Sequence, residues 1–192
     1  MAKNSLNEVQ KVVLIGGSAG SLHVILHVLA HLRADLSIPV VIVLHRKNDS
    51  DSSLSQLMAF RTNLPVKEAD DKETILPGNV YLAPADYHLL LEIDKSFSLD
   101  DSEKINFSRP SIDVTFETAA EAYGQGVTAI LLSGANADGV DGLAFIKSLK
   151  GTIVVQDPST AQVPYMPQQA IDAMPIDHIL TIEQLPGFIN QL

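Results

Sequence analysis

The chain of 192 residues contains no cysteine and no tryptophan. Without cysteine there is no disulfide framework, no thiol nucleophile and no thiolate site for zinc. It has no secretory leader and no apolar run long enough to span a bilayer, so membrane insertion is not expected and a cytoplasmic location is. Positive charge is scarce. Thirteen Lys and Arg stand against 23 Asp and Glu, for a formal net charge of −10. No patch able to neutralise phosphates is evident, which argues against nucleic acid as a partner and against unassisted binding to an anionic membrane. Repeats, low-complexity segments and Gly/Ser/Pro-rich linkers are absent as well. What remains is a globular chain, 46% apolar, of a length that suits one sizeable core. The expected organisation is a polar leader at residues 1–10 followed by a single domain over residues 11–192.

The stretch KVVLIGGSAGSL at residues 11–22 organises the rest. Residues 12–15 form a continuous apolar run, the signature of a strand buried on both faces. Gly16 and Gly17 end it and permit a sharp turn, and Ser21 is placed to cap the periodic segment that follows. Ser18 is thereby lifted beyond the sheet, beside the free N–H groups of a helix start that can hold an oxyanion. A tight turn or phosphate loop competes with a nucleophile here, although the spacing matches neither G-x-G-x-x-G nor G-x-x-x-x-G-K-[ST].

Apolar runs at residues 40–44, 128–132 and 152–156 read as further buried strands, and residues 178–180 as a short one. Helices are expected over 21–34, 54–60, 111–123 with Ser111 as N-cap, 143–149, 167–173 and 182–192. A short strand is expected at 65–68. Between Pro77-Gly78 and residue 99 the rhythm changes to short strands (79–84, 87–93, 96–99) separated by brief turns, which suggests hairpins. The pattern predicts an α/β fold: a doubly wound, mostly parallel sheet with helices on both faces and an antiparallel hairpin at one edge. Ligands of such sheets bind beyond the carboxyl ends of the strands. Ser18 follows the first strand, His45 the second, and Asp138 the strand at 128–132. A hydroxyl, an imidazole and a carboxylate are the parts of serine nucleophile catalysis, since the hydroxyl needs a base and the carboxylate fixes the tautomer of that base. Asp141 competes with Asp138 for this role, and each of the three also has a plain structural reading as turn, rim or cap. His23, His27 and His31 share one helical stripe, but no carboxylate is interleaved, so the stripe reads as a half-exposed polar face and no metal is expected.

The same residues resemble the catalytic domain of the chemotaxis receptor methylesterases, the CheB-type protein-glutamate methylesterases. The likeness runs in six ordered blocks: VVLIGGSAGSL at 12–22, VVIVLH at 40–45, LPGNVYLAPADYHLLL at 76–91, SRPSIDVTFETAA at 108–120, AILLSGANADGVDG at 129–142 and VVQDPSTAQVPYMPQQAI at 154–171. The resemblance places the family's catalytic serine, histidine and aspartate on Ser18, His45 and Asp138. It implies hydrolysis of γ-methyl glutamyl esters on the cytoplasmic helices of chemotaxis receptors, with deamidation of receptor glutamines in some members, and no cofactor. It puts oxyanion contacts near Ala19 and Ala135 and sets His88 and Arg109 near the cleft as candidate substrate contacts, with His88 also readable as a rim or strand residue and Arg109 as meeting an acidic receptor surface or holding its loop. Where the family has Met-Pro after its histidine, this chain has Arg46-Lys47, and Gly-Met-Gly before the aspartate becomes Gly134-Ala135-Asn136. The receiver domain that many members carry is not in this sequence, so control by phosphorylation within this chain is not expected, and activity is expected to be either constitutive or governed by a separate regulatory partner. A non-catalytic receptor-binding module and an esterase or amidase for a small metabolite are the alternatives.

Overall fold

The computed structural model describes residues 10–46 and 53–192. Nine of the ten residues of the expected leader therefore lie outside the described residues, as does most of the loop after Arg46. Seven parallel strands form the main sheet: β1 (Val12–Gly17), β2 (Val40–Leu44), β3 (Val66–Glu68), β4 (Val80–Leu82), β7 (Val127–Leu131), β8 (Thr152–Gln156) and β9 (His178–Leu180). Their order is β3-β4-β2-β1-β7-β8-β9. The expected antiparallel hairpin is β5 (His88–Leu91) with β6 (Phe97–Asp100), and it forms a separate two-stranded sheet. β4, which the sequence rhythm grouped with the hairpin, instead pairs in parallel with β2 and β3.

Strand β1 shows why the sheet has two covered faces. All six of its residues are buried, and successive side chains point to opposite sides. Val12 and Leu14 join one core with Val41, Val43, Phe116 and Ala119, while Val13 and Ile15 join the other with Ile25, Leu29, Ile42 and Met58. The first face carries α3 (Ile112–Tyr123), α4 (Val140–Ser148), α5 (Tyr165–Ala173) and the hairpin; the second carries α1 (Leu22–Ala30), α2 (Ser53–Ala59) and α6 (Gln184–Ile189). Truncating a side chain such as Leu14 to alanine removes contacts on a closed face and costs about 2–5 kcal/mol.

Local chemistry sets the element ends. Helix α1, expected to reach residue 34, stops at Ala30 and closes with tighter bonds of its own, His31 N–H donating to Val28 O at 3.0 Å and Leu32 N–H to Leu29 O at 3.4 Å. The Asn190 side-chain amide donates to His31 O at 2.8 Å and its carbonyl accepts Arg33 N–H at 2.9 Å, which ties the chain beyond the helix to the end of α6. Ser21 does not cap α1 through its side chain; its hydroxyl donates to Ser18 O at 2.7 Å. Ser111 does cap α3, accepting Val114 N–H at 3.4 Å.

The switch point of the sheet lies at β1, which pairs with β2 on one side and β7 on the other. From there the chain runs outward through β7, β8 and β9 on one side and through β2 and then β4 and β3 on the other, so the connections on either side of β1 diverge and leave a crevice. Gly16 makes room for the base of that crevice. A Cβ there would meet Ile112 Cγ2 at 2.6 Å, so only glycine lets the first turn of α3 approach the end of β1 this closely.

Candidate active site

Register brings the predicted residues to one rim. Gly17 of β1 pairs with Leu44 of β2, and His45 N–H donates to Gly17 O at 3.1 Å. Ser18 and His45 therefore leave adjacent strands side by side. On the other flank Ser18 N–H donates to Ser133 O at 2.9 Å. The Ser18 side chain is half-buried, and its hydroxyl makes no hydrogen bond to another described residue. His45 Nε2 lies 2.6 Å from Asp138 Oδ2, with 11% of the His45 side chain exposed and none of the Asp138 side chain. Nδ1 is the nitrogen left facing the cleft, with Ser108 Oγ 3.4 Å away.

Asp138 owes its setting to helix α3. Oδ1 accepts from Ser111 Oγ at 2.9 Å and from Asp113 N–H at 3.0 Å; Oδ2 accepts from Ile112 N–H at 2.7 Å in addition to His45. Ser111 thus serves twice, as N-cap of the helix and as donor to the carboxylate. The N–H groups of a first helical turn have no partners within the helix and carry its positive pole, so a buried anion is stable there. Burial alone pushes the Asp138 carboxyl up. The bond from His45 and the N–H groups of Ile112 and Asp113 outweigh it, and the acid is held below the usual carboxylate range. With the carboxylate ionised, the proton on the ring sits at Nε2, and Nδ1 is the basic nitrogen.

Asp141, the competing acid, lies on the first turn of α4, whereas Asp138 is the one that reaches His45. Ala19 and Ala135 are exposed on the turns after β1 and β7, and their N–H groups bond to no described residue. Ser133 ties the two turns together: its hydroxyl lies 2.8 Å from Ala19 O and accepts Val163 N–H at 2.9 Å. Its own N–H donates to the buried Gln156 side chain at 3.0 Å.

The other two predicted contacts are differently placed. His88 is fully buried. Nε2 donates to Glu103 O at 2.9 Å, and Nδ1 accepts Ser111 N–H at 3.1 Å. With both nitrogens engaged and no exposed surface it cannot meet a substrate, so the expectation of a substrate contact is corrected to a positioning role behind Ser111. Arg109 does line a cavity of about 520 Å³ that opens beside His45, with Arg46, Asp86, Lys104, Phe107 and Ser108. The stripe on α1 shows no metal geometry. His31 Nδ1 donates to His27 O at 2.8 Å, and no three His, Asp or Glu side chains converge among the described residues.

Several site residues escaped the sequence reading. Asp113 is buried on the first turn of α3; it accepts Gly142 N–H at 2.8 Å and Asn106 Nδ2 at 3.1 Å. Burial pushes its acid up to about 7; the Gly142 N–H opposes this and the adjacent Asp138 charge adds to it. Nothing in the periodicity of α3 separates Asp113 from an ordinary first-turn acid. Ser108, Ser133 and Lys104 likewise read as loop residues until the loops are brought together.

The profile of the CheB methylesterase family matches residues 13–189. A protein of Leptospira interrogans, provisionally named protein-glutamate methylesterase/protein-glutamine glutaminase, is 45% identical over 182 residues, which cover 95% of this chain and 94% of that protein. The protein-glutamate methylesterase/protein-glutamine glutaminase of Thermotoga maritima is 35% identical over 185 residues, and the match spans 54% of its length. The crystal structure of the Thermotoga maritima CheB methylesterase catalytic domain superposes with a TM-score of 0.90 at 35% identity, covering 94% of this chain and 97% of that one.

Proposed function

The chain belongs to the CheB methylesterase family, and from that premise we propose that it hydrolyses γ-methyl esters of glutamyl side chains on chemotaxis receptors in the cytoplasm, using Ser18, His45 and Asp138. The observation that carries this reading is the short His45–Asp138 contact on the rim that Ser18 shares. Asp138 holds the proton of the ring on Nε2, so Nδ1 can take the Ser18 hydroxyl proton. Ser18 Oγ then bonds to the ester carbonyl carbon, and the carbonyl oxygen gains the charge. The unpaired N–H groups of Ala19 and Ala135 receive it. Collapse of the intermediate breaks the bond to methoxide, which leaves as methanol with the proton from Nδ1. Water, deprotonated by the same nitrogen, cleaves the acyl-serine to a glutamyl carboxylate and restores Ser18. A glutamine amide follows the same course with ammonia as the leaving group, the deamidation named for the relatives.

The substrate is a side chain on a receptor helix, and the domain over residues 11–192 supplies the chemistry. The test is methanol release from a methyl-labelled receptor fragment, followed by acid quench and mass spectrometry. The expected result is methanol in proportion to enzyme and an acyl adduct on the Ser18 peptide. An adduct on another residue, or hydrolysis of small esters with none on receptor, overturns the reading.

A further inference from the structure

The cavity beside His45 has a charge opposite to that of the chain. Arg46, Lys104 and Arg109 line it, with Asp86 the single acid among the lining residues, in a protein whose net charge is −10. The two arginines are pinned. Arg109 Nη1 donates to the carbonyls of Asp101 and Ser102 at 2.6 and 2.7 Å. Arg46 Nη2 bonds to Glu68 and, at 3.4 Å, to Ala83 O. Each keeps donors uncommitted: both Nε–H groups are buried with no partner among the described residues. Glu68 offsets the charge of Arg46; Arg109 donates to carbonyls alone among the described residues, with Asp100 close enough to feel its charge. Lys104, exposed on the same loop, makes no ion pair or hydrogen bond to a described residue. A guanidinium already fixed in place loses little freedom on binding, which favours a planar anion such as a carboxylate.

We propose that this cavity is an anion subsite in which Arg109 and Lys104 bind a free carboxylate of the substrate chain next to the scissile group, so that the enzyme selects esters with an acidic neighbour. The proposal rests on the esterase reading of the same cleft and specifies its substrate class. Size is compatible. A cavity of about 520 Å³ is roughly 10 Å across, and two side chains a helical turn apart have Cβ atoms about 5–6 Å from each other. One of them can enter the rim at Ser18 while the other reaches the cations. Phe107, fully exposed at the mouth of the cavity, supplies an apolar surface for the backbone between them.

The test uses two helical peptides carrying a γ-methyl glutamyl residue, with glutamate one turn away in the first and glutamine in the second. Binding to Ser18→Ala protein, which cannot turn them over, is read by fluorescence anisotropy. The expected result is roughly fivefold tighter binding of the acidic peptide, abolished by Lys104→Glu and Arg109→Gln. The exposed Lys104 side chain makes no hydrogen bond or ion pair to a described residue, so its variant separates recognition from folding. Equal binding of the two peptides, or a preference that survives Lys104→Glu, overturns the subsite. Methanol release by the parent protein reports separately on the chemistry: preference without turnover upholds the subsite and removes the esterase reading.

Discussion

The two walls of the cleft differ in kind. On the α3 side the polar groups around Asp138 are committed. Asp138 accepts four hydrogen bonds in complete burial, Ser111 donates to it while capping the helix, and His88 fixes Ser111 from behind. At the open rim the Ser18 hydroxyl and the Ala19 and Ala135 N–H groups bond to no described residue, and the Lys104 side chain makes no ion pair or hydrogen bond to one. The first wall is finished by folding and the second is finished by substrate. Groups that stabilise a charge present throughout the reaction are best built in, because a buried carboxylate without partners costs several kcal/mol. Groups that meet a charge present only in the transition state are best left unpaired until then.

Substitutions on the two walls sharpen or break this contrast. The largest effect is expected at Ser18. Ser18→Ala lowers the rate of methanol release by about four orders of magnitude or more and leaves unfolding free energy within about 0.5 kcal/mol; a large loss of stability would place Ser18 on the committed wall. Asp138→Asn affects both quantities. The rate falls by about 10³–10⁴, and stability falls because an amide nitrogen meets donors. Since the Asp138 acid is held below its ordinary 3.8, the parent's advantage over Asp138→Asn is full above that value. It disappears as pH falls through the lowered folded value, which a series of denaturant melts across acidic pH checks.

Asp113 carries the opposite sign. Its folded acid lies near 7 against 3.8 unfolded, so the unfolded chain releases the proton first and the parent loses stability as pH rises between about 4 and 7. Asp113→Asn is expected to gain on the parent across that window and to hold a constant margin above it; a flat difference would mean that Asp113 is ionised throughout. Ser111→Ala removes a cap and a donor to Asp138, and costs about 1–2 kcal/mol by chemical denaturation with roughly a tenfold loss of rate. The smallest effect on the fold belongs to Lys104→Gln, expected to leave the melting temperature unchanged and to move only the Michaelis constant for an acidic substrate.

The alternation of buried strands and periodic helices made the sheet legible, because a strand buried on both faces has few other ways to be written. β2, β8 and β9 occupy the residues expected of them. The shared rim of Ser18 and His45 was also legible, since both follow such strands directly. Contacts between distant loops were not. The bonds of Asn190 to the chain after α1, the pairing of β4 with β2 in the parallel sheet, and His88 turning inward to Ser111 all depend on partners 23 to 159 residues away, and local propensity carries no trace of them. Arg46 was visible as a departure from the family pattern, yet only the fold shows that it borders the same cavity as Arg109.

The enclosure of Asp138 has a consequence for ionic strength. A carboxylate sealed from water is sealed from dissolved ions too, whereas fields at an open rim fade over about 8 Å in physiological saline. Added sodium chloride should therefore leave the acylation of Ser18 by a small neutral ester untouched, while capture of an anionic polypeptide weakens steadily. One cleft would then hold a catalytic engine deaf to the medium and a recognition rim that responds to it.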